Sequence, residues 1–422
     1  MTATQEETPR QGPLAGVRII DLTSVVMGPF ASQILADLGA DVIKVESPEG
    51  DTVRNIGPSR SKGMGPMYLA LNRNKRSIVL DLRQPDGLQA LKRLIADADV
   101  LLFNLRPGSM ARLGLGYDEV AALNPRIIYC GAYGFGEGGR YAGKPALDDL
   151  IQGAVSLPSL VGRVTGEPRY LPTNICDRTT GLTAVYAVTS ALYARERSGR
   201  GQAIEVPMFE TMAQFVLSDH MYGQTFDPPL ADAGYVRLLA KDRRPCKTRD
   251  GYICVLIYID KHWKNFCDML GRQDMLTDPR FASMADRTRN VDALYAFVTE
   301  TIATRTTADW MDALARADIP VTPLHTPASL MDDPHLADVG FFEWVEHPSE
   351  GRIRRMNIPT TWSDTPPSIR CHAPLLGENT LEVLEEAGYA PVEIERMLTS
   401  GAACTQGAPA EARRHNTESA AP

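Results

Sequence analysis

Short apolar runs alternate with amphipathic segments through the first part of the chain. Val17–Leu22 (VRIIDL) has the length and composition of a buried strand. The segment SVVMGP comes next and leads into a helix over 30–38, with Pro29 suited to its first turn and Gly39 ending it. Asp41–Val45 is the next strand, which completes a strand–helix–strand unit. Residues 47–76 read as a long loop ending in LNRNKRS. Beyond it the pattern predicts a strand at Ser77–Leu82, a helix at Pro85–Ala96 and a strand at Val100–Phe103. A short helix carrying Arg112, a helix near 118–123 and a strand at Ile127–Cys130 come next. Strands and helices in alternation imply an α/β fold with a parallel sheet covered on both faces. Ligands of such sheets lie beyond the carboxyl ends of the strands.

A long helical run begins after Asp177. Leu182, Val185, Val188 and Leu192 recur at helical spacing with alanines between them, predicting one apolar face. Arg195 and Arg197 suit the last turn, and Gly199 can end the helix in the left-handed conformation. Gln202–Val206 then alternates as a strand. Asp177, directly before the helical run, reads first as an N-cap whose carboxylate accepts backbone N–H bonds.

The pattern changes near residue 222, at the linker-like GQTFDPPLADAG. PCKTRDGYICVLIYI reads as a hairpin turning at Asp250-Gly251. Helices are expected near 261–270, 290–304 and 307–317, so 225–330 forms a smaller α+β domain. Residues 14–222 form the first part of a larger domain, and 331–400 return to it. That return brings paired strands at 341–346 and 353–358 and helices near 380–387 and 392–399. Residues 1–13 and 402–422 read as disordered tails.

Composition narrows the function. With 422 residues the chain is too long for one core. A net charge of −8 argues against nucleic-acid binding. Seven scattered cysteines without a CxxC pair suggest reduced thiols in a cytoplasmic protein. The polar N-terminus lacks the apolar core of a signal peptide, and no run is long enough to span a membrane. The histidines show no metal-ligand spacing.

Candidate chemistry gathers at the strand ends. Glu46 ends the second strand, where a dinucleotide site would place an acid, but GxGxxG is absent and that reading fails. Arg73, Lys75, Arg76, Arg83, Arg106 and Arg112 are each ordinary surface cations taken singly; together on an acidic protein they suit an anionic ligand. The loop Gly131–Gly139 is either a flexible turn or a surface of close approach.

Several stretches in order resemble the class III CoA-transferases, the family of formyl-CoA transferase and carnitine CoA-transferase. They are LAGVRIIDLTSVVMGPFASQILADLGADVIKVESPEGD, NRNKRSIVLDL, LLFNLRPGSMARLGLGYDEV, NPRIIY, the D-x-x-x-G helix ending in SGRGQ, and APLLGENTLEVL. The resemblance spans about Leu14–Thr399. It implies a Rossmann-like large domain built from both chain ends, a small middle domain and two subunits interlocked as a homodimer. It implies that Asp177 is the nucleophile and that Asp148 lies close to the thioester. It places CoA contacts at Val26, Met27, Leu80, Asp81, Arg83, Asn104, Leu105, Arg106 and Arg112. CoA would be substrate and product, exchanged between an acyl-CoA and a carboxylic acid, with no tightly bound cofactor. An ionised Asp needs no general base to attack a thioester. Val26 stands where some relatives carry Gln, and the glycine run of formyl-CoA transferase has no counterpart at 224–244. The related α-methylacyl-CoA racemases carry a His where this chain has Leu147, which cannot move a proton. A non-catalytic CoA-binding subunit would be expected to lose Asp177. Specificity is expected in the loops 222–244 and 258–262, where Arg237, Arg243 and Arg244 are surface charges able to meet a second carboxylate.

Overall fold

A computed structural model of the chain describes residues 11–257 and 259–406. Most of each tail expected to be disordered, 1–10 and 407–422, and Tyr258 of the second specificity loop lie outside the described residues. The chain divides into two compact units. One comprises the chain up to Val155, Leu171–Gln214 and the chain from Ala337 onward; the other comprises Ser156–Tyr170 and Phe215–Leu336. The segment 156–170, expected in the larger domain, therefore groups with the second unit.

The first unit is organised by a seven-stranded sheet. Its strands are β1 (Arg18–Leu22), β2 (Asp41–Glu46), β3 (Lys75–Leu80), β4 (Val100–Phe103), β5 (Ile128–Tyr133) and β6 (Gln202–Pro207), with a late strand at Ala403–Cys404. The order is that late strand, then β3-β2-β1-β4-β5-β6. All neighbours are parallel except the late strand, which runs antiparallel to β3. The order reverses at β1, which pairs with β2 on one side and β4 on the other. A crevice for ligands opens beyond the carboxyl ends of strands at such a reversal. Ile20, Ile43, Ile78 and Leu101 from four adjacent strands join Leu91, Leu94, Leu384 and Met397 in one fully buried core.

Three sequence expectations shift. β3 begins at Lys75, not Ser77, because both cations that open it are buried against acids: Lys75 Nζ is 3.2 Å from Asp21 and Arg76 is 2.7 Å from Asp41. A period-based reading takes such charges as loop. The loop 47–76 contains the helix Pro66–Leu71. Ala402–Cys404, expected in a disordered tail, is buried and paired with β3.

The second unit holds a three-stranded antiparallel sheet of β7 (Cys246–Lys247), β8 (Tyr252–Val255) and β9 (Val321–Pro323). The chain between β7 and β8 turns at 248–251, where Thr248 N donates to Gly251 O at 3.0 Å. Trp263, Phe266, Val298 and Trp310 fill its core, and Trp310 Nε1 donates to Ile302 O at 2.6 Å. Back in the first unit, β10 (Phe342–His347) and β11 (Gly351–Met356) form an antiparallel hairpin, and the late strand Ala403–Cys404 is β12. Among the described residues no helix is long and apolar enough to cross a membrane.

Candidate active site

Asp177 lies inside the helix Ile175–Ser198, in its first turn, and is half-buried. This corrects the N-cap reading: the cap position belongs to Asn174, and Asp177 is the third helical residue. The cap's work is done from outside. Asp148, the first residue of the helix Asp148–Ala154, accepts the Asp177 N–H at 2.9 Å through Oδ2. Its other oxygen accepts from Gln152 Nε2 at 2.7 Å. Asp148 is thus a buried carboxylate satisfying one of the orphan donors of the neighbouring helix. Among the described residues the Asp177 carboxylate accepts no hydrogen bond. Burial, together with the negative charge of Asp148, pushes its pKa up to about 7, against a smaller opposing pull from Arg178. The ordinary aspartate range assumed from sequence does not apply here. The adjacent Cys176 thiol is pushed up to about 12, chiefly by burial, and is no competing nucleophile at neutral pH.

Gly181 shares a helix face with Asp177, four residues on. A Cβ at Gly181 would stand 2.8 Å from Met27 O and 3.1 Å from Phe30. The D-x-x-x-G spacing therefore lets the start of the helix Met27–Asp37 press against the helix that carries Asp177. Arg178 lies over the Phe30 ring at 4.7 Å in the same contact. The buried face of the 175–198 helix is Thr180, Gly181, Ala184, Val188, Ala191 and Leu192; Leu182, expected on it, is 52% exposed. A second close approach positions Asp148. A Cβ at Gly134 would meet the Ala146 side chain at 2.2 Å, so this glycine of the Gly-rich loop admits the segment that leads to Asp148.

Leu80, Asp81, Arg83 and Leu105 come together in one cleft of about 500 Å³ at the carboxyl ends of β1–β4. Val26 and Met27 are buried at the start of the 27–37 helix, whose N-terminus has no side-chain cap. Asn104 holds the preceding turn: it accepts from Ser24 N at 3.0 Å and donates to Ser24 O at 2.8 Å. Arg83 is exposed and paired with Asp81 at 2.8 Å. Arg106 and Arg112 are exposed at the two ends of a short helix, and Arg112 bonds Ser109 Oγ at 2.9 Å. The grouping of six cations breaks up. Lys75 and Arg76 open β3 at the opposite end of the sheet, and Arg73 pairs with Asp37 at 2.7 Å. All three are structural. Sequence reasoning assigned no role to Asp51 or Lys44, a fully buried ion pair at 3.0 Å beside the same cleft.

The model of CoA-transferase family III matches residues 14–380. The chain belongs to CoA-transferase family III. A succinate–glutarate CoA-transferase of Agrobacterium fabrum is 32% identical over 89% of this chain and 96% of its own length. An acetyl-CoA:oxalate CoA-transferase of Acetobacter aceti is 36% identical over 80% of this chain and 87% of its own. A solved CaiB/BaiF family protein of Brucella suis superimposes with a TM-score of 0.75 at 32% identity, covering 89% of this chain and all of that one. This family III member is therefore an enzyme, a CoA-transferase, with a mixed α/β fold dominated by a parallel sheet.

Proposed function

We propose that the enzyme transfers CoA from an acyl-CoA to a free short-chain dicarboxylic acid through a covalent intermediate on Asp177. The observation that carries this reading is a half-buried carboxylate that accepts no hydrogen bond among the described residues, raised toward neutrality at a helix start. Its oxygen attacks the thioester carbonyl, giving a mixed anhydride and CoA thiolate. The thiolate attacks the aspartyl carbonyl and expels the first acid, leaving an aspartyl-CoA thioester. The acceptor carboxylate displaces the thiolate to form a second anhydride, and the thiolate then takes the new acyl group and frees Asp177. Backbone N–H groups at helix starts suit the developing oxyanions. Asp148 fixes the Asp177 backbone and, by its charge, keeps the carboxylate basic. The cleft that holds Leu80, Asp81, Arg83 and Leu105 suits CoA, with Val26, Met27, Asn104, Arg106 and Arg112 as further contacts. The dicarboxylate class follows the acids named for the two relatives. Mass spectrometry of a panel of acyl-CoA donors and free acids tests it.

Only ionised Asp177 attacks, so kcat/KM for acyl-CoA is expected to fall as pH drops through about 7. Asp148→Asn removes the neighbouring negative charge, lowers the Asp177 pKa and moves that acidic limb to lower pH. Burial remains, so the limb stays above the usual aspartate range. A pH–rate profile unmoved by Asp148→Asn would mean another group controls it.

We also take the enzyme to be an interlocked homodimer acting in the cytoplasm. Leu182, Tyr186 and Tyr193 are exposed along the 175–198 helix, at 52%, 61% and 67%, and such a stripe suits a partner subunit. Mass measurement below micromolar concentration is expected to give the dimer; a stable, active monomer there would rule it out.

A further inference from the structure

The turn between β1 and the 27–37 helix is held more tightly than a connection requires. Val25 has φ +70°, a left-handed conformation that is a strong outlier for a β-branched residue. Its N–H donates to both oxygens of Asp51, at 3.1 and 3.2 Å. Asp51 is buried and is gripped in turn by Lys44 Nζ at 3.0 Å; the same Nζ donates to Thr23 O at 2.8 Å. Asn104 closes on both backbone groups of Ser24. Three successive residues, Thr23, Ser24 and Val25, are thus each clamped by a side chain from elsewhere in the unit. Strained backbone persists only where its surroundings over-determine it, and it concentrates at working sites. Just beyond the turn lies the uncapped start of the 27–37 helix, at the sheet's reversal and against the face of the helix that bears Asp177.

From this geometry we infer that Asp51, backed by Lys44, is a positioning residue for the transfer reaction: it locks Val25 left-handed and so aims the backbone of Val26 and Met27 at the acyl-CoA. This rests on the reading that Val26 and Met27 meet the substrate. Asp51 acts through Val25. Both of its oxygens are needed, because an amide keeps one acceptor for the Val25 N–H, turns a donor toward the other contact and leaves Lys44 without its acid. A glycine at 25 would occupy that region without a clamp. The role of Asp51 is then conditional on the side chain at 25, which a merely structural carboxylate would not show.

The test is a double-mutant cycle in kcat on the full-length enzyme: wild type, Asp51→Asn, Val25→Gly and the double variant, each corrected for folded fraction by circular dichroism. Misplacement of about 1 Å can cost about 100-fold in rate, so Asp51→Asn is expected to lose about 30-fold with Val25 present. In the Val25→Gly background the same change is expected to lose less than about fivefold, because the strain it opposes is gone. Equal losses in both backgrounds, or a loss under twofold with Val25 present, would overturn the proposal. Hydroxylamine trapping on the wild type separates this from the underlying mechanism: absence of label at Asp177 refutes the covalent reading, whatever the cycle shows.

Discussion

Asp177→Asn is expected to lower CoA transfer by at least about 10³-fold, because an amide does not attack a thioester and nucleophile deletions are of this size or larger. The fold is expected to survive intact. The bond that ties this residue to Asp148 uses the Asp177 backbone N–H, which Asn retains, and among the described residues no donor loses a partner at the side chain. The stability effect has a definite sign. The folded-state pKa is raised from 3.8 to about 7, so the folded chain binds this proton more tightly than the unfolded chain. Between those values stability falls as pH rises, because a half-buried charge forms beside Asp148. Above pH 7 the Asn variant is therefore expected to unfold at a higher temperature than wild type. Asp177→Ala is expected to match it, since Asp177 does not cap the helix. Wild type treated with acyl-CoA and then hydroxylamine is expected to carry a hydroxamate at Asp177, and the variant none. Near-normal transfer by the Asn variant, with reversion to Asp excluded by mass, would sink the mechanism.

Asp21→Ala is expected to destabilise the protein by about 3–5 kcal/mol, the range for breaking one side of a buried ion pair. Asp21 is fully buried on β1 and accepts from Thr23 N at 2.8 Å, Ser32 Oγ at 2.6 Å and Lys75 Nζ at 3.2 Å. Burial already lowers the Lys75 pKa to about 8, with Asp21 the principal group opposing that fall. Without Asp21 the partners left to the Lys75 ammonium among the described residues are Pro29 O and the Asn72 side chain, and it must lose its proton or its place. Denaturant unfolding at pH 7 measures the loss. Adding Lys75→Met to Asp21→Ala is expected to restore part of it, since no charge is then left unpaired. A double variant less stable than Asp21→Ala would show that Lys75 stabilises the core independently of its acid.

Much of the sheet was legible because its strands are short apolar runs. Val100–Phe103 and the helix Pro85–Ala96 have the limits read from sequence. The misses share a cause in contacts distant along the chain. The helix Pro66–Leu71 sits in a loop-like stretch because Tyr68 is held by Arg54 over its ring at 3.7 Å and by Pro374 O at 2.9 Å. The helix Leu157–Thr165 starts after Ser156 in a left-handed conformation at φ +66°, which no local preference signals. At the site, Asp177 can be singled out by residue type and helix onset, although it stands three residues past the cap position, which Asn174 occupies. The Asp148 contact, 29 residues away, entered only through family resemblance. The clamp on Val25 joins residues 23–25, 44, 51 and 104, and no spacing rule connects them.

The pairing of β12 with β3 has a consequence for how the chain is made. The outward N–H groups of β3 and its continuation are taken by late residues: Ser77 by Asn379 Oδ1 at 3.0 Å, Val79 by Thr380 Oγ1 at 3.2 Å and Asp81 by Ala402 O at 2.9 Å. Those partners leave the ribosome about 300 residues after β3, a delay of roughly 15–60 s at ordinary elongation rates. Throughout that time β3 is an open edge, able to template pairing with another nascent chain. Overexpression that crowds ribosomes on one message, or a stop codon ahead of Asn379, should therefore favour aggregation, whereas an extension added beyond Thr405 leaves the seal in place.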